Sequence, residues 1–404
     1  MRLRELKKAL IKENPRPIFW IAVFSIFFIW SPGFAAVPVN GEALPGLESF
    51  DKAMIRFIEK HDIPGGSLAV SFKGSLILAK GYGYADFSVF KKIPAHPRNQ
   101  FRFASLSKPL TATAIMSLVE KGKLSLDSKA VPLLQGDPPQ KIRDNRLEQI
   151  TIQHLLEHRG GYDRQESSDP MFAAQPPCPG NLSPYFRERL DFTPGEKYAY
   201  SNLGYCLLGR IIERISGKLY EAFIRERILH PVGATSIEIG DSKQTKPAEV
   251  SYFQDLSEGK QSPYGGFDMK ALDSCGGWIG SSVDYLKFLT SLDGQRTPPL
   301  LKPDMVEVMF AMPDDPSLQS KSTYYAKGFN VRKLTSGGIN FWHTGSLPGT
   351  LTLAVRGANG YGWVALFNRR TSNWRKVQLE IDRELWEAAR GVNRIPAGDL
   401  FGKF

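Results

Sequence analysis

Hydrophobic positions alternate with strand spacing near both ends of the chain and recur with helical spacing between them. The alternation predicts strands over residues 67–72, 75–80, 338–344, 350–356 and 361–368. A spacing of three to four residues predicts helices over residues 47–58, 106–121, 203–215 and 377–389. Residues 106–121 are apolar on nearly every side, which indicates a buried helix.

Strands at both ends around a helical middle indicate an α/β (α+β) fold. We expect an antiparallel sheet formed by the N- and C-terminal parts, flanked by helices, with an all-helical lobe inserted between them. The sheet lobe would comprise residues 45–102 and 275–392 and the helical lobe residues 103–274, with the active site between the lobes.

The first 36 residues have the pattern of an export signal. A basic start is followed by thirteen residues without a charge, 18–30, then by a helix-breaking Pro32 and the small residues Ala35 and Ala36. This pattern predicts a secretory signal peptide. The alternative is an uncleaved signal anchor, which would associate the protein with the inner membrane. In both cases we expect an exported protein, periplasmic or extracellular.

The composition is that of a globular protein, with 42% hydrophobic and 23% charged residues. The formal net charge of +11 comes in part from the N-terminal segment. The rest contains no block of Lys and Arg with interleaved aromatic residues, so nucleic acid is not an expected partner. A mildly basic surface could attract an anionic substrate.

Three cysteines follow the N-terminal segment, so they cannot all pair. Cys178 and Cys275 lie in loops rich in Pro and Gly, whereas Cys206 lies in an apolar helical run. An oxidising compartment permits a Cys178–Cys275 disulfide, which would leave Cys206 as a buried thiol.

The first candidate for chemistry is Ser105-Leu106-Ser107-Lys108, at the start of the buried helix. Side chains three residues apart share a helix face, so the Ser105 hydroxyl and the Lys108 amine can meet. A desolvated lysine with a lowered pKa can take the proton of a serine nucleophile. The alternative is an N-cap serine beside a snorkelling lysine. The same spacing also occurs at Ser88 and Lys91, where solvated polar sequence is the better interpretation.

Two further motifs lie far along the chain. Tyr200-Ser201-Asn202 precedes a helix: a phenol near cations can lose its proton and act as a base, and the Asn202 amide can orient a substrate amide. His343-Thr344-Gly345-Ser346 follows a predicted strand. Gly345 permits a close backbone approach, and His343 offers a donor or a positive charge for a substrate carboxylate. Packing and helix-capping roles are the alternatives for these residues.

In this order, Ser-x-x-Lys, Tyr-x-Asn and His-Thr-Gly resemble the motifs of the serine β-lactamase and penicillin-binding superfamily. The match is to the branch of class C β-lactamases, D-alanyl-D-alanine carboxypeptidases and related esterases. Sequence around the motifs is similar as well, over about residues 47–386. The resemblance implies a β-lactamase/transpeptidase-like fold.

The resemblance also implies a role for each motif residue. Ser105 would form the acyl-enzyme, with Lys108 and Tyr200 sharing proton transfer. Asn202 would hold the substrate amide. The carboxylate would bind His343 and Thr344, and backbone N–H groups of Ser105 and Ser346 would form an oxyanion hole beside Gly345. No metal and no organic cofactor is implied, and His158 would be structural.

The resemblance implies an exported serine hydrolase that acts on a small molecule or peptide. Class C β-lactamases carry Lys-Thr-Gly at the third motif, and His343 in this chain favours a D,D-carboxypeptidase over an efficient β-lactamase. The expected substrates are D-alanyl peptides or β-lactams. An esterase or amidase on the same scaffold is one alternative, and a non-catalytic protein that binds wall peptides is another.

Overall fold

A large antiparallel sheet is the main element of the computed structural model, which describes residues 36–88, 91–135, 141–255, 262–292, 294, 299–395 and 397–404. Its strands in chain order are β1 Val39–Ala43, β2 Gly65–Phe72, β3 Ser75–Phe87, β4 Lys92–Pro94, β8 Thr323–Tyr325, β9 Asn330–Lys333, β10 Ile339–Leu347, β11 Thr350–Arg356 and β12 Tyr361–Phe367. A smaller sheet contains β5 Phe101–Arg102, β6 Glu238–Ile239 and β7 Trp278–Gly280.

Strands from the N-terminal and C-terminal parts of the described chain lie side by side in one sheet. The order is β1-β3-β2-β12-β11-β10-β9-β8, with β4 paired to the far part of β3. The junction is the antiparallel pair of β2 and β12, in which Leu68 lies opposite Ala365. At the hairpin between β2 and β3, Lys73 and Gly74 both have positive φ, as the right-handed strand twist favours. The predicted fold class is therefore confirmed.

Helices cover both faces of the sheet. Within the described residues they are α1 Glu48–Lys60, α2 Ser107–Glu120, α3 Ala130–Leu134, α4 Ile152–Leu156, α5 Ser183–Arg187, α6 Asn202–Ser216, α7 Tyr220–Ile224, α8 Ser282–Thr290, α9 Pro303–Phe310 and α10 Trp374–Arg390. Helices α1 and α10 enclose one apolar core against the sheet. Helices α2, α6 and α8 contribute to a second core on the opposite face. Both central strands, β2 and β12, are therefore buried on both sides.

Helix ends carry residue types that favour them. Gly217 follows α6 in the left-handed conformation, and Thr151 caps α4 by accepting a hydrogen bond from the backbone of His154. Residues 37–404 form one compact unit. The proposed helical segment, residues 103–274, contains α2 to α7 and the short strand β6. The lobe boundaries stay a prediction, and the export signal lies outside the described residues. None of the helices that are described has the length and apolar character needed to cross a membrane.

The disulfide differs from the one that the sequence left open. Cys178 bonds to Cys206, with Cα atoms 6.1 Å apart, and Cys275 is a buried free thiol. The Cys178–Cys275 bond that the sequence permitted does not form, because α6 turns Cys206 toward the loop that carries Cys178. The run of apolar residues in α6 had indicated burial of Cys206, and burial is compatible with a disulfide.

The pairing predicts the thiol content of the protein. We expect one thiol per chain after unfolding without a reductant and three after reduction, because the sequence contains three cysteines and two of them are bonded. Loss of the bond by a Cys178→Ala, Cys206→Ala double substitution should lower the free energy of unfolding by about 3.6 kcal/mol, the chain-entropy cost of opening a loop of 28 residues. Thiol titration and denaturant unfolding measure these effects. Three thiols in the unreduced chain would contradict the assignment.

Candidate active site

The serine lies in a tight turn that packs against strands β10 and β11. Residues Ala104–Leu106 form a 3-10 turn that leads into α2, so Pro109 falls in the first turn of that helix, where its missing N–H is tolerated. Ala104 has a φ of +50°, an uncommon conformation for a residue with a side chain. A Cβ on Gly345 would lie 2.4 Å from the Phe103 carbonyl oxygen and 3.0 Å from the Ser105 nitrogen. Glycine at 345 is therefore what lets β10 approach the turn.

Lys108 lies fully buried beneath Ser105. Its Nζ is 3.2 Å from Ser105 Oγ, 2.6 Å from Asn202 Oδ1 and 2.7 Å from the carbonyl oxygen of Cys275. Burial lowers the pKa of Lys108 to about 8, with the Arg164 guanidinium acting in the same direction and Asp169 opposing it. A fraction of the amine is therefore neutral near neutral pH.

The three partners of Lys108 differ in what they can do. The Asn202 and Cys275 oxygens can only accept hydrogen bonds, whereas the Ser105 hydroxyl can also donate one. A neutral amine has two N–H bonds and one lone pair. When its two protons go to the two carbonyl oxygens, the lone pair is directed at Ser105. This arrangement suits a general base for the serine.

Tyr200 lies on the other side of the serine. The Lys108 amine is 4.7 Å from the centre of its ring. Burial raises the pKa of Tyr200 well above its usual value, and a hydrogen bond with Ser105 and the nearby Arg164 oppose this shift. The expectation that nearby cations would ionise the phenol is therefore wrong for the resting site. Tyr200 holds its proton and is placed to donate it.

His158 supports this position without facing the cavity. Its ring packs 4.2 Å from that of Tyr200, and its Nδ1 accepts a hydrogen bond from the backbone N–H of Ser201. The Ser201 hydroxyl caps α6, so Asn202 stands in the first turn of the helix. The fold thus fixes both ends of the Tyr200-Ser201-Asn202 motif.

His343 does not carry the positive charge that the sequence suggested. It is 2% exposed, and burial lowers its pKa to about 3, with Lys108 acting in the same direction. Its Nδ1 donates to the Thr344 carbonyl oxygen at 2.7 Å, so its Nε2 accepts from the Tyr325 hydroxyl at 3.0 Å. His343 is therefore a neutral residue with both nitrogens bonded.

A cavity of about 690 Å³ opens over these groups. The predicted residues that line it are Ser105, Tyr200, His343, Thr344, Gly345 and Ser346. Lys108 and Asn202 contact one another below it. Guanidinium groups lining the cavity are those of Arg164, Arg370 and Arg375, and Arg370 donates to Ser346 Oγ at 3.4 Å. The positive charge at the cavity therefore comes from arginine residues and not from His343.

Several residues of the site had no signal in the sequence. Asp169 lines the cavity and accepts a hydrogen bond from Asn202 Nδ2 at 2.6 Å. The Arg164 guanidinium lies 4.6 Å from the centre of the Tyr200 ring. Asp169 and Arg164 belong to an irregular segment without periodicity. Tyr325 belongs to a strand of only three residues. Neither a hydrophobic pattern nor a motif therefore identified these residues. In the described part of the chain, no three His, Cys, Asp or Glu side chains are grouped so that they could hold a metal ion.

The chain is similar to known proteins in sequence and in fold. The family model described as Beta-lactamase matches residues 50–384. The "Probable fimbrial assembly protein FimD, serogroup H1" of Dichelobacter nodosus is 35% identical over 206 residues, which are 49% of this chain and 50% of that protein. The chain thus spans about half the length of this curated relative.

Two solved structures share the fold. D-amino acid amidase from Ochrobactrum anthropi SV3, complexed with L-phenylalanine, superposes with a TM-score of 0.69 at 22% identity, over 86% of this chain and 99% of the amidase. The octameric penicillin-binding protein homologue from Pyrococcus abyssi has a TM-score of 0.65 at 24% identity, over 84% of this chain and 77% of that protein. At these identities the likeness concerns the fold.

The neutral His343 predicts how stability depends on pH. Its pKa is lower in the folded protein than in the unfolded chain, so the unfolded chain binds more protons below pH 6.5. Stability from this residue is present above about pH 6.5 and is lost as the pH falls toward 3. Between pH 6.5 and 4, we expect the His343→Gln protein to lose about 3 kcal/mol less of its free energy of unfolding than the wild type loses.

Denaturant unfolding at several pH values measures this effect. The exposed His230 provides the matched control, because His230→Gln removes an imidazole that the fold does not bury. A His343→Gln protein with the acid sensitivity of the wild type would show that His343 is not held neutral.

Proposed function

The chain belongs to the β-lactamase family of serine hydrolases, and from this premise we propose that it transfers acyl groups through an acyl-enzyme on Ser105. The observation that carries the proposal is the buried Lys108 amine, 3.2 Å from the Ser105 hydroxyl and with a lowered pKa. A binding protein would need the shape of the cavity but not a serine beside an amine whose pKa is lowered.

In the first step, the lone pair of Lys108 takes the Ser105 proton while Oγ attacks the carbonyl carbon of the substrate. The oxygen of the tetrahedral intermediate faces the backbone N–H groups of Ser105 and Ser346, which Gly345 brings together. Tyr200 gives its proton to the leaving nitrogen as the C–N bond breaks, and the Lys108 ammonium restores the proton of Tyr200. Water then releases the acyl group by the same steps in reverse.

We propose D-alanyl peptides and β-lactams as the substrate class, in the manner of a D,D-carboxypeptidase. The guanidinium groups of Arg164, Arg370 and Arg375 support this choice, because they line the cavity and attract a substrate carboxylate. The neutral His343 favours a second candidate, an amidase or esterase whose substrates lack that carboxylate. The similar D-amino acid amidase acts on substrates of that kind by its name.

Export of the protein is part of the proposal. The N-terminal signal pattern is its basis, and the Cys178–Cys206 disulfide supports it, since such bonds persist in oxidising compartments. Thiol titration of the unreduced protein tests this support. One thiol per chain would strengthen it, and three would remove it. A signal that is not cleaved would hold the protein at the membrane.

Substitution of the site residues should abolish acylation while leaving the fold intact. We expect Ser105→Ala to lose all covalent labelling by penicillin or a fluorophosphonate, and Tyr200→Phe to slow it about 10²- to 10⁴-fold. Intact-mass spectrometry measures the labelling, and circular dichroism checks the fold. Ser88→Ala is a matched control, because Ser88 has the same Ser-x-x-Lys spacing on an exposed segment. Labelling of the Ser105→Ala protein would refute the proposal.

The two substrate classes are separated by one change in the substrate. We expect kcat/KM for an N-acyl-D-alanyl-D-alanine peptide to exceed that for the same peptide with a C-terminal amide, because only the acid is attracted by the arginine residues. Release of D-alanine or its amide is measured by chromatography at several salt concentrations. Preference for the amide at every salt concentration would favour the amidase instead.

A further inference from the structure

Asp169 is held by hydrogen bonds to both of its carboxylate oxygens. Oδ1 accepts the backbone N–H of Met171 at 3.2 Å and so caps a short 3-10 turn, while Oδ2 accepts Asn202 Nδ2 at 2.6 Å. The Cys178–Cys206 disulfide joins the same loop to α6, the helix that Asn202 begins. Cap and disulfide therefore fix the carboxylate opposite the amide of Asn202.

This contact determines which end of the Asn202 amide faces the lysine. A carboxylate can only accept hydrogen bonds, so the NH₂ group of Asn202 must point at Asp169 and its oxygen at Lys108. In the opposite orientation the Asn202 NH₂ would donate to the neutral Lys108. The lone pair would then be used by Asn202 and would no longer be available to Ser105.

We propose that Asp169 is a positioning residue, which holds the oxygen of the Asn202 amide against Lys108 and thereby directs the lone pair of the amine at Ser105. The inference rests on the proposed function, because the orientation of the Asn202 amide affects the reaction only if Lys108 is the base for Ser105. Asp169 acts through Asn202 and exchanges no proton with the substrate.

The charge of Asp169 has a second effect, on the titration of Lys108. Asp169 opposes the loss of the ammonium form, so its removal should make Lys108 neutral at lower pH. The other charged, titratable or aromatic groups that face Lys108 are Arg164, Cys275, Tyr200, Tyr205, His158 and His343. None of these is changed by substitution at 169.

The test replaces Asp169 by Asn and follows labelling of Ser105 by a small fluorophosphonate, which has no amide for Asn202 to bind. An asparagine that keeps the Met171 cap presents its NH₂ group to Asn202, so the Asn202 amide turns over. We expect labelling at high pH to slow about 10- to 100-fold, as for loss of a hydrogen bond to a charged group. The pH at which labelling reaches half its maximum should fall.

A second substitution should restore the arrangement. In the Asp169→Asn, Asn202→Asp double variant, the NH₂ group introduced at position 169 can donate to one oxygen of the carboxylate introduced at position 202. The other oxygen of that carboxylate accepts from Lys108. We expect the rate of Ser105 labelling at high pH to regain at least half, on a logarithmic scale, of what the Asp169→Asn protein loses. The half-maximal pH should rise above that of the wild type, because the negative charge then lies next to the amine.

Asp315→Asn is the matched control. Asp315 also precedes a proline and caps a 3-10 turn, Pro316–Leu318, by accepting from the backbone of Ser317, but it does not line the cavity. Its substitution should leave both the rate and the half-maximal pH of labelling unchanged. A slower Asp169→Asn protein with an unchanged half-maximal pH, or no recovery in a folded double variant, would show a merely structural role and overturn the inference.

A readout independent of catalysis separates this inference from the proposed function. The titration of the Lys108 amine, followed by ¹⁵N NMR, should move to lower pH in Asp169→Asn and not in Asp315→Asn. An unchanged Lys108 titration would overturn the positioning role even if Ser105 is labelled. Equal labelling of the wild type and Ser105→Ala would instead overturn the proposed function, whatever the titration shows.

Discussion

The chemistry of the site depends on the burial of one amine. Lys108 lies in the first turn of a helix that the hydrophobic core surrounds, and water does not reach its Nζ. Burial of an ammonium ion costs free energy unless the group is paired or loses its proton. The carbonyl oxygens of Asn202 and Cys275 accept hydrogen bonds from the amine but carry no formal charge that would pair with an ammonium ion. The fold thus raises the neutral fraction of the amine next to the serine above that of an exposed lysine.

Groups that are distant in sequence create this environment. The turn before α2 and the helix itself provide Ser105 and Lys108, helix α6 provides Asn202, and the segment before β7 provides the Cys275 carbonyl. Strand β10 closes the site because Gly345 has no side chain to keep it away from the nucleophile turn. A loss of packing between α2 and α6 would admit water to Lys108, and the amine would then return toward its ordinary pKa. Stability of the core and reactivity of the serine are therefore coupled.

The sequence predicted those features that depend on local patterns. Periodicity located the helix that follows Ser105. The charge state of His343 could not be predicted in this way, because it depends on burial and on Tyr325, which is 18 residues away in another strand. The partner of Cys178 depends on how α6 faces a loop. Asp169 was missed because a single aspartate in an irregular segment has no periodicity, and only the fold shows its contact with Asn202.

The same physical effect suits Lys108 and Tyr200 to the opposite roles proposed for them. Desolvation disfavours whichever form of a group is charged, so it lowers the pKa of the Lys108 amine and raises the pKa of the Tyr200 phenol. Both groups are thereby driven toward neutrality, in which the amine can accept a proton and the phenol can donate one. In the proposed reaction the serine proton passes to the amine, and the phenol proton passes to the leaving group. Charges are therefore separated only while the reaction proceeds. Placed in water, the same two side chains would be a cation and a phenol of ordinary acidity, and no base would face the serine.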